Sequence, residues 1–194
     1  MNRGSYLVTI VMGKGKHATV QRFTMRICRR QTQTSGGVPM SEAHEYRCRL
    51  DWTGSTAAGY EAYDRTHQVS CPPAGAELGM SSDPAFGGNP DLLNPEQLLV
   101  AAASSCQMLS FLAYAGRARI DVVSYVDEAE GAMPQDDKPM RITEIALRPR
   151  IVISGEADEE RVRRFIGRAH EACFIANSLK TNITIEPEIT FRDR

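Results

Sequence analysis

The sequence predicts an α+β domain with an antiparallel sheet. Two observations carry the assignment. Residues 98–115 (LLVAAASSCQMLSFLAYA) form an almost wholly apolar stretch, interrupted only by Ser and Gln, with no helix breaker and long enough for a central helix. Strand-like alternating segments lie on both sides of it, and a second, half-charged helical pattern follows. The order reads strand pair, helix, two strands, helix, strand, with no internal repeat.

The strand pair spans Tyr46 to about Ser70. Tyr46–Trp52 (YRCRLDW) alternates apolar and polar residues, Thr53–Gly59 (TGSTAAG) reads as a turn, and Tyr60–Val69 is the predicted returning strand. Residues 72–94 carry repeated Pro and Gly and read as a long irregular connection, a length that marks functional loops or lids. Asn94 then offers a cap, Pro95 suits the first helical position, and Glu96 suits the positive end of the helix dipole. The helix that follows is almost wholly apolar and small, which predicts burial on most sides, with Gly116 as its C-cap. Ile120–Glu130 and Arg141–Ser154 read as strands, joined by Gly131–Pro139. Glu159–Leu179 is the second predicted helix, because Val162, Phe165, Ile166, Ala169, Cys173 and Ala176 recur at three and four. Asn182–Phe191 is the last strand, with Pro187 marking an edge or bulge.

At 194 residues, 42% hydrophobic and 24% charged, the chain suits one globular domain. No uninterrupted apolar run approaches the roughly 18 residues of a membrane span, so no membrane association is expected. A net charge of −1 supplies no global basic field for nucleic acid. The balance is uneven, however. Arg3, Lys14, Lys16, Arg22, Arg26, Arg29 and Arg30 lie in residues 1–39, which hold no Asp or Glu. That segment reads either as a targeting extension or as sequence upstream of a true start at Met40. A secretory signal fits poorly. The segment is set outside the fold as a loosely ordered or non-native extension, with 31–38 as a linker, and the domain is assigned to residues 40–194.

Five cysteines, Cys28, Cys48, Cys71, Cys106 and Cys173, are odd in number, widely spaced and free of CxxC pairs. That fits neither a disulfide framework nor a zinc ribbon and points to reduced thiols in a cytoplasmic setting. Cys106 sits mid-way along the apolar helix and Cys173 on the apolar stripe of the second. Two readings stand: inert core thiols, which pack as small hydrophobes, or a reactive pair activated by a nearby cation. Arg47, Arg49 and Arg65 are the candidate cations. Cys28, Cys48 and Cys71 have no motif and no spaced partner, and are expected to be dispensable. His67 and His170 stand alone, without a partner at metal spacing. Gly87-Gly88-Asn89-Pro90 is no phosphate loop, since no GK[ST] follows. Glu96 is ten residues from Cys106, or about 15 Å of helix, too far for contact within one chain.

Several motifs together resemble the OsmC/Ohr superfamily of osmotically induced and organic-hydroperoxide-resistance proteins. They are Asn94-Pro95-Glu96-Gln97-Leu98-Leu99 ahead of Ser105-Cys106, and Ala169-His170-Glu171-Ala172-Cys173 with Ile175-Ala176-Asn177-Ser178. Trp52-Thr53-Gly54, Tyr60 with Tyr63-Asp64-Arg65-Thr66-His67, and Ser81–Phe86 are similar to an OsmC-like branch. The resemblance covers about residues 44–190. It implies an intertwined homodimer with antiparallel sheets around two long buried helices. It also implies a thiol-dependent peroxidase, with Cys106 peroxidatic, Cys173 resolving, Glu96 the carboxylate and Arg65 the activating cation. An external dithiol of lipoyl or thioredoxin type would recycle it, and no metal, flavin or haem would be needed. The sequence departs from the pattern at Gln107, where a His is frequent, at Phe174, where a Pro is frequent, and in lacking a GGR-type Arg motif. Either Glu96 serves the Cys106 of the other subunit, which is the preferred expectation, or Arg65 spans the gap. Two rival readings are a non-enzymatic redox-sensing or stress-associated dimer, and a small-molecule binding protein that uses the inter-helix pocket.

Overall fold

The computed structural model describes residues 7–12, 19–24 and 43–193. The chain divides into two compact units, residues 1–45 and 46–194. In the first, β1 (Leu7–Met12) pairs antiparallel with β2 (Thr19–Thr24). The sequence reading gave this stretch no structure. Its other expectations for residues 1–39, Cys28 among them, lie outside the described residues.

The second unit opens with three antiparallel strands, β3 (Arg49–Asp51), β4 (His67–Ser70) and β5 (Glu77–Met80), in that order. The expected hairpin is therefore present, with Arg49 opposite Ser70, but its strands are short. Tyr60–Tyr63 forms turns and a bend, and Asp64–Thr66 is irregular, in place of the first part of the returning strand. The connection after it holds β5 and a 3-10 turn at Pro84–Phe86, so it is more regular than its Pro and Gly content suggests.

The helix α1 (Pro95–Arg117) starts as its sequence dictates. The Asn94 side chain accepts from the Gln97 N–H at 2.8 Å, and the Gln97 side chain accepts from the Asn94 N–H at 3.0 Å. This reciprocal box satisfies two orphan donors at once. The other end differs from expectation. Gly116 stays helical, Ala118 is the cap, and Arg119 takes the left-handed turn at φ 58°.

Each long predicted strand beyond α1 is split in two. β6 (Asp121–Asp127) and β7 (Glu130–Ala132) follow one another, as do β8 (Glu144–Leu147) and β9 (Pro149–Ser154), and β10 (Asn182–Ile185) and β11 (Glu188–Arg192). The halves go to two sheets, ordered β11-β9-β6 and β10-β8-β7. At the breaks, Arg148 donates its N–H to Asp127 Oδ1 at 2.7 Å and Glu186 donates to Leu147 O at 2.9 Å, so the displaced donors keep partners. Pro187 has no N–H to extend either ladder. β6–β9 and β7–β8 are antiparallel, while β8–β10 and β9–β11 are parallel. The parallel pairs exist because α2 (Glu159–Glu171) and α3 (Phe174–Ser178) carry the chain back across the sheet.

The second predicted helix is thus two helices. Its apolar spacing runs through Ala172 and Cys173, but Cys173 is extended (φ −69°, ψ 115°) and caps α3, accepting from the Ala176 N–H at 3.5 Å.

One core cluster joins α1, α2 and the β6–β9 sheet through Phe111, Ala115, Ile151, Ile153, Val162, Ile166 and Ala169. A second joins α1 to β8 through Ala103, Ile142, Ile145 and Leu147. Only one stripe of α1 is fully buried in the chain: Ala103, Gln107, Phe111 and Ala115. Leu109 is 60% exposed. The expectation of burial on most sides is met on this stripe alone. By length and composition α1 is also apolar enough to cross a membrane, contrary to the sequence reading; here its buried stripe packs into the two clusters.

Gly167 lies on the solvent face of α2, and an added Cβ would meet nothing within 4 Å. Gly167→Ala should raise stability by about 0.5–1 kcal/mol by removing backbone freedom from the unfolded chain. Urea unfolding checks this, and a lower midpoint would contradict it.

Candidate active site

Cys106 and Cys173 meet where the middle of α1 packs against the start of α3. The break between α2 and α3 produces the meeting, because it turns the chain so that the first N–H groups of α3 face α1. Cys173 is 1% exposed and Cys106 is half-buried. Burial alone disfavours the Cys106 thiolate. The N–H groups of Ile175 and Phe174, the Cys173 thiol and the Ser110 hydroxyl outweigh it, and hold the Cys106 pKa below its ordinary value. Cys173 moves the other way. Burial raises its pKa, and the neighbouring Cys106 adds to the rise against the Ala176 N–H. One thiol is therefore disposed to ionise and its neighbour to stay protonated.

A cavity of about 510 Å³ opens over Cys106, walled mainly by small and apolar side chains including Ala102, Leu109, Ala113 and Phe174. Arg117, from the last turn of α1, also lines it. Sequence reasoning did not single out Arg117; its place three turns along the face of Cys106 was the available signal. Gln107 is buried, and its Nε2 donates to Ile166 O at 3.1 Å, tying α1 to α2 one residue along from Cys106. Ser104 hydrogen-bonds Asp127 and ties the same turn to β6.

Arg65 and Glu96 are not part of this pair within the chain. The Arg65 guanidinium donates to Tyr60 O at 2.7 Å, Tyr63 O at 3.0 Å and Gly87 O at 3.3 Å. It also lies 4.7 Å and 4.1 Å from the ring centres of Tyr60 and Tyr63. Gly87 (φ 75°) makes room for it, since a Cβ there would stand 3.0 Å from the guanidinium carbon. The pocket holding Arg65 is about 460 Å³ and includes Trp52, His67, Phe86 and Pro95, the first residue of α1. Glu96 lines a separate groove of about 790 Å³ beside the start of α1. Among the described residues no hydrogen bond or ion pair joins Arg65 to Glu96. Both therefore sit at the head of α1, about 15 Å of helix from Cys106.

The other described cysteines are not isolated. Cys48 and Cys71 flank β3 and β4, and their sulfurs are 3.2 Å apart. The expectation that they lack a spaced partner fails, because the β3–β4 register makes them cross-strand neighbours. The hydrogen bond with Cys71 is the chief cause of a raised Cys48 pKa.

The chain is an α+β protein that places a thiol of lowered pKa on its central helix beside one of raised pKa. More particularly, the chain belongs to the OsmC-like protein family, whose model matches residues 88–188. It is similar to an OsmC-like protein of unknown function from Vibrio cholerae, at 30% identity over 75% of this chain and 100% of that one, with a TM-score of 0.69. The fold also matches an organic hydroperoxide resistance protein from Elizabethkingia anophelis (21% identity, 79% and 100% coverage, TM-score 0.56). An organic hydroperoxide resistance protein OsmC from Legionella pneumophila gives 16% identity, 76% and 97% coverage and a TM-score of 0.54. No curated protein matches the sequence.

Proposed function

We propose that the protein is a thiol-dependent hydroperoxide reductase. One observation carries the reading: two adjacent thiols whose surroundings push their ionisation in opposite directions, under a largely apolar cavity. The Cys106 thiolate attacks the distal peroxide oxygen. The O–O bond breaks, the alkoxide leaves and takes a proton to become an alcohol, and Cys106 becomes a sulfenic acid. Cys173 sulfur then attacks the Cys106 sulfur, water leaves, and a disulfide forms. An external dithiol of lipoyl or thioredoxin type restores both thiols by exchange. The hydroperoxide-resistance neighbours support a peroxide substrate. The test is thiol counting after one equivalent of an organic hydroperoxide. Loss of two thiols with release of the alcohol is expected; unchanged thiols would overturn the reading.

The working form is proposed to be a homodimer. The open face of α1, with Leu109 at 60% and the neighbouring Phe174 at 80% exposure, calls for an apolar cover that a second copy of the chain would supply. Arg65 and Glu96 then serve the Cys106 of the other subunit, since both lie at the head of their own α1. Arg65 stabilises the thiolate and the developing oxyanion, and Glu96 holds the Arg in its working position. Arg65→Ala should slow peroxide reduction by roughly 10²-fold. Glu96→Gln should cost less, because it removes the holder and keeps the cation. Mixed dimers test the sharing. In a dimer of Arg65→Ala and Cys106→Ser chains, the only Cys106 lies on the chain without Arg65. Restored activity supports service across the interface. Activity no higher than the Arg65→Ala homodimer, per intact Cys106, sinks it.

A further inference from the structure

We propose that Cys48 and Cys71 form a second redox site, independent of Cys106 and Cys173. It is a cross-strand dithiol that low-molecular-weight disulfides such as oxidised glutathione convert reversibly to a disulfide.

Three observations support it. The register pairs Arg49 with Ser70 at the end of two antiparallel strands, so Cys48 and Cys71, one residue beyond each strand, are the next residues in line. Opposed residues of such strands have Cα atoms about 4.5–5.5 Å apart, within the span a disulfide bridges. The sulfurs already lie 3.2 Å apart, about 1.2 Å beyond a disulfide bond length. Both thiols are exposed, so an external disulfide reaches them, unlike the buried Cys173. A metal centre is the weaker use of the same pair. Among the described residues no cluster of three or more His, Cys, Asp or Glu stands ready to hold a metal ion.

The exchange balances without a further reactant. One cysteine thiolate attacks a sulfur of R–S–S–R, the S–S bond breaks and RS⁻ leaves. The second cysteine attacks the mixed disulfide and expels the other RS⁻. The protein loses two protons and two electrons, and the external disulfide takes them up to become two RSH.

The site also has a structural consequence. Cys48 and Cys71 bracket the segment that carries Tyr60, Tyr63 and Arg65, so the bond would close that segment at its base. Closing the loop removes conformational freedom from the unfolded chain and should raise the melting temperature by roughly 5 °C or more.

The test uses the full chain with Cys28, Cys106 and Cys173 changed to Ser, treated with oxidised glutathione. The expected product is a monomeric chain mass lowered by two hydrogens, with peptides around Cys48 and Cys71 linked to each other. Adding Cys71→Ser should trap a lasting glutathione adduct on Cys48. Glutathione retained on both cysteines, chain-to-chain cross-links or unreacted thiols would each overturn the proposal. An oxidised form that melts no higher than the reduced form would overturn the loop-closing consequence.

Discussion

Replacing Cys106 by Ser should abolish peroxide turnover, with a loss of roughly three orders of magnitude or more, and leave the fold intact. In the proposed mechanism the attacking species is an anion, and a serine hydroxyl does not ionise near neutral pH even when N–H groups point at it. Cys106 is only half-buried, and its neighbours Ser110 and Ile175 tolerate an isosteric oxygen, so little stability is at stake. Cys173→Ser should behave differently. The first encounter with peroxide still yields the sulfenic acid, but no neighbouring thiol condenses with it. One turnover and trapping by a sulfenic-acid reagent are expected, followed by silence with a dithiol that serves the parent. The pH profile follows from the sign of the shift. Because the Cys106 pKa is lowered, its thiolate persists below the ordinary thiol value of 9.0, and the rate should begin to fall only at a pH below that value. A rate that instead falls tenfold per unit from about pH 9 downward would contradict the assignment of Cys106 as the ionised thiol. Full activity in the Cys106→Ser chain would overturn the mechanism outright.

The parts of this molecule legible in its sequence are those fixed by local chemistry. The start of α1 follows from Asn94, Pro95 and Gln97, because the capping box is made by side chains and backbone groups within three residues of one another. The strand breaks are not local. Alternation continues through Glu128, Arg148 and Glu186, and the chain changes sheet there only because Asp127 and Leu147 offer partners from distant segments. The division of α2 from α3 is hidden for the same reason. Val162, Ile166, Ala169 and Cys173 keep a helical spacing across a backbone that is extended at Cys173.

The site shows the same division. Cys106 and Cys173 were legible as a pair because both carry apolar helical patterning. What sets their unequal acidity was not, since it depends on which N–H groups the α2–α3 break directs at Cys106. Cys48 and Cys71 stand 23 positions apart, and nothing in their spacing relates them until the β3–β4 register is known. Arg65 was read on a strand. Its cage of Tyr60 and Tyr63 needs a turn there, and alternation alone does not distinguish an aromatic strand from an aromatic turn that closes on a cation.

Gly88→Ala should be among the most destabilising alanine substitutions outside the core, at about 3 kcal/mol or more, through a clash that no side-chain rotation relieves. A Cβ at this position would stand 1.6 Å from the Ser82 carbonyl oxygen and 2.3 Å from its carbon. Both are backbone atoms, so the segment itself must move. It has little freedom to do so. Ser81 donates its N–H to Leu93 O at 2.9 Å, Gly88 donates to Asp83 O at 3.1 Å, and Asn89 donates to the Ser81 hydroxyl at 3.0 Å. Asp83 also receives the Asn94 side-chain amide at 3.4 Å, which links the turn to the cap of α1. Displacing the turn therefore disturbs the helix start on one side and the Gly87 carbonyl that holds Arg65 on the other. The melting temperature should fall by roughly 6–12 °C. Gly75→Ala is the control, because nothing lies within 4 Å of its added Cβ, and it should be nearly neutral. Equal melting temperatures for the two variants would show that the Ser82–Gly88 approach is not as close as described. In folded Gly88→Ala protein, peroxide reduction should fall along with stability, because the shifted Gly87 carbonyl no longer positions the guanidinium. A variant that melts low yet reduces peroxide at the parental rate would separate Arg65 from that turn.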